Sequence, residues 1–184
     1  MEAVVNKTES KLSPQINQAV ELAEVAEKIR DDALVSAKSK LPPILQGQNL
    51  EELFQDTYFF CYFKHGLVES VCQTLCDYDE KIMESYCFDP NANPDCQSGE
   101  EILVDGTLNI ILVVESKTAG LDALTASLNR SLTQALKELP IPMLKSYDSI
   151  LNIIQVTQDD VENRKGYAAL ISSIYVKALK VWPN

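Results

Sequence analysis

From Ile16 onward, apolar residues return every three or four positions: Ile16, Ala19, Val20, Ala23, Ala26, Ile29, Ala33 and Ala37. That spacing predicts an amphipathic helix running to about Lys40. Ser13-Pro14 supplies an N-cap and a first helical residue, and Pro42-Pro43 stops the helix. Its apolar side is rich in alanine, which suits close packing against a partner. Residues 1–12 are polar and expected to fray. Leu50–Phe54 reads as a short helix. Tyr58-Phe59-Phe60-Cys61-Tyr62-Phe63 is aromatic enough for a strand, and equally suits one buried side of a helix.

Farther on, Leu67, Val68, Val71, Leu75 and Tyr78 share a helical face, and Lys81–Phe88 follows as a first strand. Asp89-Pro-Asn-Ala-Asn-Pro-Asp95 is dense in turn residues and reads as a loop. Glu101–Val104 and Thr107–Val114 flank Asp105-Gly106, a strong short-range hairpin signal. Leu121, Leu124, Leu128, Leu132, Leu136 and Leu139 then form one stripe at helical spacing, ended by Pro140 and Pro142. Ile150–Val156 is short, β-branched and nearly continuous, as in an interior strand. Leu108–Val156 is therefore a strand–helix–strand unit, expected as a right-handed parallel crossover. Asp159-Asp160 opens a turn, and Tyr167, Leu170, Ile171, Ile174, Tyr175, Ala178 and Leu179 predict a last amphipathic helix.

These elements predict an α/β (or α+β) fold. It has a small mixed sheet with one βαβ crossover, flanking helices and a long N-terminal helix. The Pro-containing link suggests an N-terminal helical segment over 1–45 and a single α/β domain over 46–184. The chain of 184 residues is long enough for a full core.

Charge and cysteine usage narrow the function classes. The net charge of -11 opposes binding to phosphate backbones and to anionic membrane surfaces unless basic residues are gathered on one face. No apolar run reaches the ~18 residues a membrane span needs, and no secretory leader is read, so the default compartment is the cytoplasm. The five cysteines, Cys61, Cys72, Cys76, Cys87 and Cys96, are odd in number and confined to one stretch. A disulfide framework is not expected from them. Cys72, Cys76, Cys87 and Cys96 form a candidate thiol cluster for a metal. Only Cys72 and Cys76 are close in sequence, and the alternative is buried thiols acting as small hydrophobes. No Gly-rich phosphate loop occurs, and His65 is the only histidine.

The remaining chemistry lies where the most aliphatic strand ends. Leu108–Val114 runs straight into Glu115-Ser116-Lys117, and Pro94-Asp95 and Asp105 lie upstream. The order helix, strand, strand, strand, helix, strand, with Glu-x-Lys closing the third strand, resembles the PD-(D/E)xK nuclease superfamily over about residues 66–157. The resemblance implies Glu115 and an aspartate as ligands of a divalent metal, Mg²⁺, with Lys117 placing the attacking water or stabilising charge on the phosphate. It also implies an auxiliary acid on the preceding helix, Glu69. Hard oxygen ligands suit Mg²⁺.

Hairpin counting favours Asp95 over Asp105. If Asp105-Gly106 is the turn, Cys96 comes opposite Glu115 and Asp95 beside Ser116, while Asp105 lies ~33 Å away along the strand. Family placement of the acid on the strand keeps Asp105 as the alternative, and Glu100 and Glu101 are further candidates. The helix after Lys117 offers Arg130 and Gln134. Arg164-Lys165, Lys177 and Lys180 offer a modest phosphate-contacting face. Two functions follow as expectations: a Mg²⁺-dependent phosphodiesterase acting on DNA, or a non-catalytic acidic protein working through a protein partner or its own oligomer. In the second, Glu115 and Lys117 are simply the solvated end of a strand.

Overall fold

The computed structural model describes residues 12–88, 107–174 and 178–183. Its elements are helices α1 (Leu12–Ser39), α2 (Leu50–Leu53) and α3 (Thr57–Tyr78), and strands β1 (Ile82–Cys87) and β2 (Leu108–Val114). Helix α4 (Ala119–Lys137), β3 (Leu151–Thr157), α5 (Gln158–Glu162) and β4 (Leu179–Trp182) follow. Short 3-10 turns cover Pro142–Ser146 and Gly166–Leu170. The architecture is α/β, with a four-stranded mixed sheet in the order β3-β2-β1-β4.

Strand β2 is central and nearly all buried, because both faces of the sheet are covered. Leu108, Ile110, Leu112 and Val114 join the larger core with α1, α3 and α4. Ile111 and Val113 face the other way, toward Val156, Ala168 and the segment after α5. β2 and β3 run parallel in unbroken register from Leu108↔Leu151 to Val114↔Thr157, joined through α4 as the sequence predicts. Asn129 of α4 pins this crossover. Its side-chain oxygen accepts from the Ile150 and Leu151 N–H groups, and its amide donates to Leu151 O.

The aromatic run before Gly66 is helical. Asp56 caps α3 by accepting from Phe59 N at 2.9 Å, and Phe59, Phe60, Cys61 and Phe63 are all buried. The alanine stripe of α1 meets α3 within the same chain. Ala26, Ala33 and Ala37 are fully buried in the same core as the sheet residues, and Arg30 reaches α4 through Glu138 at 2.7 Å.

Two sequence expectations are corrected. The antiparallel partner of β2 is β1, with Cys87↔Ile110 to Ile82↔Val114, and β3 takes its other edge. The strand expected over Glu101–Val104 and its turn at Asp105-Gly106 fall in residues 89–106, which lie outside the described residues. The helix expected over 167–179 is replaced by the 3-10 turn at Gly166–Leu170 and by β4, antiparallel to β1. Positive φ values at Arg164 (51°) and Gly166 (52°) break the chain direction after α5. Tyr167 and Ile174, on the expected apolar stripe, are instead exposed. The open edge of β1 is filled by Leu179–Trp182, whose Val181 is buried.

Candidate functional site at the carboxyl ends of the parallel strands

Past Val114, β2 delivers Glu115, Ser116 and Lys117 to the surface. The strand pairing ends with Glu115 N donating to Lys81 O at 3.0 Å, and the Glu115 side chain is exposed. Thr118 then caps α4 by accepting from Leu121 N at 3.1 Å. Gln155 of β3 ties this exit down. Its amide oxygen accepts from Thr118 N, and its amide nitrogen donates to Thr118 O and to the Asp122 carboxylate.

Lys117 does not stand open. Its Nζ lies 2.8 Å from Asp160 Oδ2. Asp160 is itself fixed by a capping box at the start of α5. Thr157 N donates to Asp160 Oδ2 at 3.0 Å, and Asp160 N donates to Thr157 Oγ1 at 3.2 Å. The Lys117 ammonium and the Thr157 N–H hold the Asp160 carboxyl down at about 2. The cleft beside them has a volume of about 280 Å³ and is lined by Lys117, Ile154, Gln155, Asp160, Lys165 and Tyr167, among others. Lys165 in turn pairs with Asp159 at 2.6 Å, and Lys180 with Glu84 at 2.7 Å.

The other candidates are dispersed. Asp95, Asp105, Glu100, Glu101, Cys96 and Lys177 lie outside the described residues. The count that set Asp95 beside Ser116 rested on the hairpin across Asp105-Gly106, and the pairing of β2 with β1 removes that basis. Glu69, on α3, lies 3.1 Å from His65 Nε2 and lines a different groove, which shares no residue with the Lys117 cleft. Among the described residues, no group of three or more His, Cys, Asp or Glu side chains is placed to hold a metal ion. Cys61, Cys72, Cys76 and Cys87 are not in disulfides. Burial pushes Cys72 up to about 12 and Cys76 up to about 11.

Sequence reasoning missed Asp160, Gln155 and Asn129 as the groups that organise this corner. Thr157-Gln-Asp-Asp160 carried the one readable signal, the spacing of a helix-capping box.

The Asp160 carboxyl has a lower pKa in the folded chain than its ordinary 3.8. Its ionised form is thus favoured by folding. The stabilisation is complete above about pH 4 and is lost as the pH falls toward 2. Asp160→Asn keeps an oxygen for the Thr157 N–H but loses the charge. The gap in urea midpoint between wild type and Asp160→Asn is expected to be widest above pH 4 and to close between pH 4 and 2. A gap that stays constant over that range would show that the ion pair contributes nothing.

No helix among the described residues is long and apolar enough to cross a membrane. Comparisons with protein-family models, with curated proteins and with solved structures find no match.

Proposed function

We propose that the protein is a cytoplasmic, non-catalytic α/β protein that acts through association with another protein. The Lys117–Asp160 ion pair is the observation that carries this reading. A phosphodiesterase of the PD-(D/E)xK kind needs its lysine free to meet a phosphate or an attacking water. Here the ammonium is held by a carboxylate that is locked in place by its own capping box. That carboxylate also repels a phosphate approaching Lys117. Lys165 and Lys180, two of the four cations of the modest basic face, are likewise paired with neighbouring acids. A net charge of -11 suits a basic protein partner, whose approach it would steer.

A second reading keeps the Mg²⁺-dependent nuclease, because Glu115 and Lys117 stand where open α/β sheets gather ligands, beyond the carboxyl ends of parallel strands. One experiment separates the two. Single- and double-stranded DNA are incubated with the intact chain in Mg²⁺ or Mn²⁺, beside Glu115→Ala and Lys117→Ala. The association reading expects no metal-dependent cleavage above that of either variant. Cleavage by wild type that falls roughly 100-fold or more in both variants would replace it with the nuclease. Sedimentation velocity of the full chain then tests whether the partner is a second copy, with a species heavier than 20.5 kDa expected in that case.

A further inference from the structure

Strand β3 ends the sheet, with no further strand on its outer edge among the described residues. The parallel register fixes which of its backbone groups face outward. Leu108 N donates to Ile150 O at 2.7 Å, so the backbone groups of Asn152, Ile154 and Val156 continue the ladder to β2. Those of Leu151, Ile153, Gln155 and Thr157 point away from the sheet. The two ends of this edge are closed. The Asn129 side chain takes the Leu151 N–H and C=O, and the Asp160 carboxylate takes the Thr157 N–H. Between them, the N–H and C=O groups of Ile153 and Gln155 have no hydrogen-bond partner among the described residues. This stretch is also less covered than its neighbour. Ile153, Ile154 and Gln155 are half-buried and Asn152 is exposed, whereas Ile110, Ile111 and Leu112 of β2 are buried.

We propose that this edge pairs with the same edge of a second copy, β3 antiparallel to β3 about a two-fold axis at Ile154, joining two four-stranded sheets into one. The free groups set the register. With the axis at Ile154, Ile153 of each copy faces Gln155 of the other, and each facing pair exchanges both of its N–H···O=C bonds. An axis at Ile153 would call on the Leu151 groups that Asn129 holds. An axis at Gln155 would call on the Thr157 N–H that Asp160 holds. Charge favours a second copy as the occupant. Leu151–Thr157 has no charged residue in a chain of net charge -11, so two acidic copies meet there without opposing like charges in the strands. The far edge of the sheet is guarded by contrast. Strand β4 is four residues long, carries Lys180, pairs with β1 in a shifted register and runs into Pro183. Short length, lysine, proline and irregular pairing are devices that keep edges from joining, and Leu151–Thr157 has none of them. The two-fold contact uses up both free edges and closes at a dimer. The proposal rests on the association reading, for which it names a surface and a second copy as a partner.

Amide exchange in the intact wild-type chain tests the register without any substitution. The Ile153 and Gln155 amides are expected to exchange about tenfold or more slowly where sedimentation velocity shows a species of about twice the 20.5 kDa chain mass than after dilution to the monomer. The Ile154 amide, bonded to β2, should be equally protected in both. Charge at the axis gives a second test. Ile154→Lys and Ile154→Glu each set like charges directly opposite one another and are expected to weaken the dimer about tenfold or more, while an equal mixture of the two regains it. The exchange result decides the matter if either variant fails to fold. A monomer at every concentration would overturn the proposal and leave the association reading with a partner other than a second copy. A dimer in which the Ile153 and Gln155 amides exchange as in the monomer would overturn it in favour of another face. So would a mixture of the folded variants no heavier than either alone. The association reading itself fails by a different result, metal-dependent DNA cleavage that is lost in Glu115→Ala and Lys117→Ala.

Discussion

Phe63→Ala is expected to cost about 4 kcal/mol of folding stability, within the range for deleting a buried phenylalanine ring. Phe63 is 1% exposed, and its ring meets Phe54 edge-on, with centroids 5.1 Å apart and an interplanar angle of 80°. Phe54 closes α2 and also meets Phe59 at 5.0 Å. One ring of α2 thus sits against two rings spaced one helical turn apart on α3. Removing Phe63 leaves a cavity between two elements that touch the rest of the core. It also removes an edge-on aromatic pair that adds roughly 0.5–1.5 kcal/mol beyond area burial. Urea unfolding followed by Trp182 emission measures the loss. Tyr58→Ala, at a position 46% exposed, should stay within about 0.5 kcal/mol of wild type. A Phe63→Ala loss as small as that of Tyr58→Ala would mean that the ring is not part of the core.

The same residues show where sequence patterns stop being readable. Helices α1 and α4 were legible because one face of each is buried and the other wet. Leu121, Leu128, Leu132 and Leu136 are buried while Asp122, Ala126 and Gln134 are exposed. Helix α3 lies between α1 and the sheet, so from Phe59 to Val68 nearly every residue is buried. With apolar residues all round, no period of 3.6 survives, and the run at 58–63 suits either element. The C-terminal segment is the reverse case. Its apolar residues do recur at helical spacing, but the unfilled edge of β1 claims Leu179–Trp182. There a long-range pairing overrode a local preference.

The candidate site divides along the same line. Glu115 and Lys117 at the exit of a buried strand follow from the hydrophobic run before them. The carboxylate that meets Lys117 does not. Val114 pairs with Thr157 as the last couple of the parallel register, and Lys117 and Asp160 each stand three positions beyond it. Only the register brings them together, and the pattern of a single strand does not fix its register with a neighbour. The capping box explains why Asp160 is held rigid, while the register explains why Lys117 is its partner. Read without that register, Glu-x-Lys invites a metal and a phosphate. Read with it, the lysine ties the end of β2 to the start of α5.

Gly66→Leu is expected to destabilise the protein by about 3 kcal/mol, at the upper end of ordinary overpacking. A Cβ built on Gly66 would lie 3.1 Å from Ala33 Cα and 3.2 Å from Ala33 O. Those are backbone atoms of α1, which cannot rotate aside as a side-chain tip can. Ala26, Ala33 and Ala37 are each fully buried along this contact, so the two helices have no slack with which to separate. Gly66→Ala sets a gain of up to about 1 kcal/mol in helix propensity against the same tight approach, and a net loss smaller than that of leucine is expected. Ala33→Gly should not rescue Gly66→Leu, because the closest atoms belong to the backbone that remains. Gly120→Leu is the control: nothing lies within 4 Å of a Cβ there, so stability should hold or rise. The outcome also bears on what α1 is for. The alanine stripe that looks from the sequence like a surface for another chain is already filled by α3. A melt that drops with Gly66→Leu at every protein concentration would mark α1 as part of the fold, and the association surface would then have to lie elsewhere. A loss that vanishes on dilution would mean that the stripe is exchanged with a second copy.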